Sequence, residues 1–541
     1  MVLRPIPLLV LAAWVATMGA IVKRAYVEAA PGALATDLGR YGSSAQWRGI
    51  YYRGDKVGFS VSQADAVDDG FELREEGRLQ IALFGSITPA RMRTVARVDR
   101  AFALRSFEFL LDPGTGPTEV RGALDGLRLT ITVTTRGGTV SDVRELTEAP
   151  LLSLNLGRRL ASAGLTPGAT YRWALFDPAT LRNAAVDIAV GTRELIRVPA
   201  SSVREMVSIP AFRVDLNVSG LRTTSWVTDT GDVLREESPM GFITQRETAQ
   251  AAQRMVASVR TDMIEGSAVV PEMKQRIDEP RDVRRLRLRL TGIDLSATEM
   301  NGVGQSVIGD VIEVRDVRTL GAGPADEDAT KYLSPEPFIE SDDPAIVREA
   351  LAAVQQAPDA RTRAERLVRR VNAMLEKKPT ISLPSAREVL RTRVGDCNEH
   401  TALYVAMARA AGVPARIAVG LTFVKGAFYY HAWPEVYLDD GSSRGRWLPV
   451  DPTLNQFPAD ATHLRLARGA LDKQAAIVPL IGRMKMEVLD VELAPGSTPV
   501  LAGRAPTDMA PLAIPLPERS VTGCWVDTPL LSPPPVRPRR R

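Results

Sequence analysis

From Trp47 to about Thr248 the chain alternates apolar and polar positions in short runs. Phe71 and Leu73 flank Glu72, and Leu79, Ile81 and Leu83 interleave with Gln80 and Ala82. A period of two is that of a strand with one face buried. Arg53-Gly54-Asp55 and Asp68-Asp69-Gly70 punctuate these runs as turns. Similar segments follow at Leu127–Thr134, Val203–Ile209, Phe212–Val218 and Thr224–Val227, with one short helix at Leu152–Ala163. Residues 45–265 are therefore expected to form an antiparallel, predominantly β domain, arranged as two sheets. Nothing in this half has catalytic spacing.

The pattern changes after a connecting helix expected over Ala249–Val259. Leu286, Leu288 and Leu290 alternate with Arg287 and Arg289 in one more strand, within a β segment or linker at 280–320. The arginines read as its solvent face rather than an anion site. Gly321–Pro337 reads as an exposed linker. Helical signals then open a domain over 340–495. Asp342-Asp343-Pro344 is a cap with proline in the first turn, and Ser385-Ala386-Arg387-Glu388 is a capping box. Leu367, Val371 and Met374 recur at helical spacing. A helix from Cys397 packs through Leu403, Ala406, Met407 and Ala410 and stops at Gly412-Val413-Pro414. Strands are expected at Ala415–Phe423, Tyr429–Leu438, Trp447–Val450 and Met484–Leu493. The fold class is α+β, with a Pro/Arg-rich tail over 511–541.

Composition refines this picture. With 541 residues, 45% hydrophobic and 24% charged, the chain is globular and long enough for two to four domains. A formal charge of +4, without a basic stripe carrying aromatics, gives nucleic-acid binding no support. Ile6–Val22 is free of charge and bracketed by Arg4 and Lys23-Arg24. Residues 1–30 read as an uncleaved signal anchor, with the soluble domains outside the cytoplasm; secretion after cleavage is the alternative. Positive charge on both flanks leaves the orientation weakly specified.

The candidate chemistry lies in three short blocks. Gly395-Asp396-Cys397 sets a cysteine at a helix start, where backbone amides and the dipole favour a thiolate. Its own N–H is a candidate oxyanion donor. His431 follows in a strand and Asp451 at the end of the next. A thiol, an imidazole and a carboxylate are attacker, base and orienter. Alone, each has a plainer reading: an inert buried cysteine, a structural histidine, a turn aspartate before Pro452. Only two cysteines and three histidines occur, so the set has few chances to arise by accident. Cys524, in Gly523-Cys524-Trp525, reads as a stray thiol, although a bridge to Cys397 would disable the nucleophile. His400 reads as a helix-surface or packing residue, and His463 as a loop residue with no partner. Cys397, His400, His431 and Asp451 fit no familiar zinc spacing, and no metal or other cofactor is expected.

These blocks resemble the transglutaminase-like superfamily, whose core is a papain-like Cys-His-Asp domain. The matching pieces are Gly395-Asp396-Cys397, Ala408 to Arg416, His431-Ala432-Trp433-Pro434-Glu435-Val436 and Asp451-Pro452-Thr453, in the family's order. The similarity covers about residues 345–470. It implies Cys397 as nucleophile, His431 as general base and acid, and Asp451 as orienter. Pro434 suggests an edge or bulge in the histidine strand. An upstream side-chain oxyanion donor is also implied, without a position. Calcium dependence does not transfer, because no calcium loop is present. The expected reaction is acyl transfer on amide bonds of a protein or peptide through a Cys397 thioester, most readily resolved by water. Cross-linking through a lysine amine, or a non-catalytic anchored scaffold, are the alternatives.

Overall fold

The computed structural model describes residues 45–501 except 84–85, 114–115, 137, 201–204, 219–220, 240, 256–261, 263–267, 294–299, 322, 325, 327, 379–384, 440–443, 470–482 and 498–499. The anchor expected over 1–30, the 511–541 tail and Cys524 lie outside these residues. Among the described residues no helix is long and apolar enough to cross a membrane.

Fourteen strands between Gln46 and Glu247 form one antiparallel sheet, not two. Its first eight strands and its last six are separate meanders, joined where Gln46–Tyr52 pairs with Phe242–Glu247. Arg53 and Gly54 both have positive φ, 49° and 93°, which fits the primed two-residue turn that matches strand twist. The sheet curls until its two ends approach: Arg144 donates to the Leu181 carbonyl at 2.6 Å, and Leu151 bridges to Leu175. The helix Ser153–Ala163 lies in the curl. Its Leu156 and Leu160 pack with Val186, Ile188 and Phe212, while Leu152 joins Phe107, Ile131 and Phe176.

A second sheet is built on Val283–Thr291, whose Leu286, Leu288 and Leu290 are buried. Its arginines face outward into cross-strand ion pairs, Arg289 with Glu487 at 2.7 Å and Arg285 with Asp490 at 2.9 Å. The strand Lys485–Leu493, expected to close the C-terminal domain, instead pairs with Val283–Thr291 here. The sequence pattern fixed that strand's existence but not its partner.

The C-terminal core has helices α1 (Pro344–Ala353), α2 (Ala360–Met374), α3 (Ala386–Thr392) and α4 (Cys397–Ala410). Its sheet contains β1 (Ala415–Val424), β2 (Ala427–Asp439), β3 (Arg444–Pro449) and β4 (Leu464–Arg468), all antiparallel in the order β3-β2-β1-β4, with Gly323–Pro324 beyond β3. The expected exposed linker 321–337 is anchored at two described points: Trp447 donates to Asp326 at 2.7 Å, and Tyr332 packs edge-on against Trp447. Helix α4 is buried continuously from Glu399 to Arg409, because α1–α3 cover one side and the sheet the other. A buried helix need not be amphipathic, so the narrow packing stripe read from sequence understates its contacts.

Strand β2 is interior and its pairing with β1 runs without a bulge through Pro434. The Pro434 carbonyl accepts from Val450 N–H at 2.9 Å. In an antiparallel ladder a residue's nitrogen faces the same side as its carbonyl. The missing N–H therefore faces the side where β3 is ending, and the pairing with β1 is untouched.

On β2, Glu435 is 1% exposed and receives Arg465, Arg468 and Arg416 at 2.5, 3.1 and 2.8 Å. Arg416 also lies 3.7 Å over the Trp447 ring. Burial opposes ionisation of Glu435, but the three guanidinium groups outweigh it and hold the carboxyl at about 2, below its usual 4.5. A depressed carboxyl stabilises the fold fully above its unfolded value, and that contribution is lost as pH falls through about 2. Glu435→Gln leaves three buried or half-buried cations without their shared anion. It is expected to cost about 3–5 kcal/mol in a denaturant titration near neutral pH. A cost below about 1 kcal/mol would show that the network is not a stability determinant.

Candidate functional site

The start of α4 is locally determined. Asp396 caps it, accepting Asn398 N–H at 2.9 Å, and Glu399 reaches back to Asp396 N–H at 2.9 Å. Gly395 makes room for this: a Cβ there would sit 2.2 Å from Glu399 Cβ. The backbone before it is fixed by a short parallel ladder of Glu376-Lys377 with Val394-Gly395.

Cys397 is half-buried, with a free thiol at the first residue of α4. Thr401 donates to the Ala432 carbonyl at 3.0 Å, and the Ala432 N–H acts to lower the Cys397 pKa. Both groups of Ala432 point toward the gap where β3 stops, and the start of α4 fills that gap. One strand residue thus ties α4 to the strand that carries His431.

Burial pushes the Cys397 thiol well up, and the charges of Asp396, Glu399 and Asp451 add to this, opposed by the Ala432 N–H. The helix start alone is expected to favour the thiolate, whereas burial and the two capping carboxylates act the other way.

His431 Nε2 bonds Asp451 Oδ2 at 2.8 Å, and both residues are buried. This leaves Nδ1 as the ring nitrogen not bonded to Asp451. Asp451 is completely buried, and its Oδ1 accepts Leu454 N–H at 2.9 Å. Burial opposes its charge, yet His431 and His463 together hold it well below the usual carboxylate range.

His463 is the residue that the sequence reading missed. It is buried, with Nε2 on the same Asp451 Oδ2 at 3.1 Å and Nδ1 facing Asp460 Oδ1 at 3.3 Å. Burial acts to lower its pKa, but the two carboxylates raise it to about 10, so it is an imidazolium. The signal available in sequence was Asp460-Ala461-Thr462-His463, an Asx-type turn. Asp460 Oδ1 does accept Thr462 N–H and Oγ1.

His400 is buried rather than on the helix surface. Its Nδ1 lies 2.7 Å from the Asp396 carbonyl, and burial lowers its pKa to about 4. It is neutral and offers the thiol no charge. Tyr430, beside His431, donates to Asn398 Oδ1 at 3.2 Å.

Among the described residues one group has metal-ligand character: His431, Asp451 and His463, with ligand atoms within 4.8 Å of one another. It differs from the spacing considered above, sharing only His431 and Asp451 with it. Hydrogen bonds already satisfy these atoms, and a metal would have to displace the His463 proton held by two carboxylates. The donor set fits a hydrogen-bonded relay better than a metal centre.

Residues 348–452 match the model of the transglutaminase-like superfamily. No curated protein matches the chain. Among solved structures, a "putative cysteine protease" from Cytophaga hutchinsonii is 16% identical, with TM-score 0.25, covering 43% of this chain and 91% of its own. A "putative protease" from Parabacteroides distasonis is 10% identical, with TM-score 0.20, covering 76% of this chain and 68% of its own. A DUF1089 family protein from Pseudomonas aeruginosa is 15% identical, with TM-score 0.22, covering 32% and 87%. At such TM-scores none of the three decides a function.

Proposed function

Residues 348–452 form a transglutaminase-like core, and from that premise we propose a thiol-dependent enzyme that cleaves amide bonds in a protein or peptide. Cys397 is its nucleophile, His431 its base and acid, and Asp451 the orienter. The observation that carries this reading is the His431 Nε2–Asp451 Oδ2 bond at 2.8 Å, on a strand whose next residue, Ala432, is bonded by Thr401 of the Cys397 helix.

Burial favours the neutral thiol, so in this reading His431 takes its proton as the sulfur attacks. The thiol proton passes to His431 Nδ1 as sulfur bonds to the carbonyl carbon, with the Cys397 N–H facing the oxyanion. The imidazolium gives that proton to the departing amine as the C–N bond breaks, leaving a thioester. Water, deprotonated by His431, then releases the acid, and the thiol regains its proton. An amine in place of water would give cross-linking. The preference for water rests on analogy within the superfamily. Placement outside the cytoplasm, anchored through Ile6–Val22, is part of the same proposal.

The test uses purified full-length chain in detergent with glutamine-containing peptides, with and without a primary amine. New peptide termini are expected in both arms. Ammonia release with amine incorporation and no new termini would replace hydrolysis by cross-linking. Failure of a thiol-directed probe to label Cys397 at neutral pH would remove both enzymatic readings.

A further inference from the structure

The candidate centre does not end at Asp451. Oδ2 of that carboxylate takes two imidazoles at once, His431 at 2.8 Å and His463 at 3.1 Å. Behind His463 stands a second carboxylate, Asp460, itself fixed by Thr462 and by Gln456 Nε2 at 2.8 Å. Asp451, Asp460 and His463 are at most 5% exposed. The rings are packed as well as bonded: Trp433 stacks on His431 at 6.0 Å and meets His463 edge-on at 5.2 Å.

We propose that His463 is a positioning residue for this centre: a buried cation that fixes Asp451 from behind and offsets its charge toward the Cys397 thiol. The proposal rests on the reading of Cys397 as nucleophile. A carboxylate with no second partner would turn freely about its last bond; here Leu454 N–H holds one oxygen and two imidazoles share the other. The charge argument is separate. The Asp451 carboxylate is one of the groups that push the thiol up. A cation hydrogen-bonded to that carboxylate cancels much of its field in a buried site, where screening by water is weak.

The other groups around the thiol are Asp396 and Glu399 from the start of α4 and Tyr430 from β2. Lys377, from the ladder beside Gly395, lies within electrostatic reach of Asp451, and His400 is neutral. None of these hydrogen-bonds Asp451, so its direct compensation comes from the two imidazoles.

His463→Gln keeps a neutral donor toward Asp451 and removes the charge. The rate of Cys397 alkylation by iodoacetamide, followed against pH on the full-length chain, is expected to shift its midpoint upward by on the order of one pH unit. A purely structural hydrogen bond would leave the midpoint unmoved, and that result would overturn the proposal. A second measurement needs no variant. The chain has three histidines, so ¹⁵N-imidazole spectra resolve few signals. One ring is expected to stay doubly protonated above pH 8, and its absence would equally overturn the proposal. Failure of the unmodified chain to alkylate would sink the nucleophile reading instead, while the imidazole spectra would still decide the state of His463.

Discussion

Cys397→Ala is expected to reduce turnover of a cleavable peptide by at least about 10⁴-fold, leaving only what binding and oxyanion donors supply. The expectation follows from the division of labour at the start of α4. Without sulfur no thioester forms, and the chain offers no second thiol among the described residues of this core. Folding should be nearly unaffected, because Cys397 is half-buried and the cap is made by Asp396 and Glu399 rather than by the thiol. The measurement is steady-state hydrolysis beside a thermal melt. Turnover above about a tenth of the unmodified level, with the melt unchanged, would remove Cys397 from the mechanism. Cys397→Ser is expected to fall nearly as far, because a serine hydroxyl is much harder to deprotonate than a thiol.

Much of this site was legible in sequence, for reasons that particular residues show. Gly395-Asp396-Cys397 is read locally, because a cap, a glycine that admits Glu399, and a helix start are all encoded within five residues. His431 and Asp451 were placed by strand period and strand end, and a hydrogen bond joins them. Three features depended on longer range. His463 belongs to a short turn before β4; Asp460 is its local partner, but Asp451 becomes one only once β4 returns beside β1. In the N-terminal half, periodicity gave strands but could not tell one curled sheet from two. That depends on the pairing of Gln46–Tyr52 with Phe242–Glu247, almost two hundred residues later. Lys485–Leu493 failed in the same way: its alternation is local, its partner is not.

Asp451→Asn is expected to lower activity by about 10³–10⁴-fold. The amide keeps the shape, but it cannot accept from both imidazoles through one anionic oxygen. If its nitrogen turns toward His431, the ring presents the wrong tautomer to the thiol. Stability should fall too, because His463 would be left as a buried cation facing Asp460 alone, and breaking such a pair costs about 3–5 kcal/mol. The sign of its pH dependence is fixed by His463. Its folded value of about 10 lies above the ordinary 6.5, so the contribution is complete below 6.5 and disappears as pH rises through about 10. The stability gap between the unmodified chain and Asp451→Asn should therefore be widest at acid to neutral pH and narrow toward pH 10. Denaturant titrations at pH 6 and pH 10 check this directly. A gap of equal size at both values would mean that Asp451 stabilises the fold through its Leu454 cap and not through the imidazolium behind it.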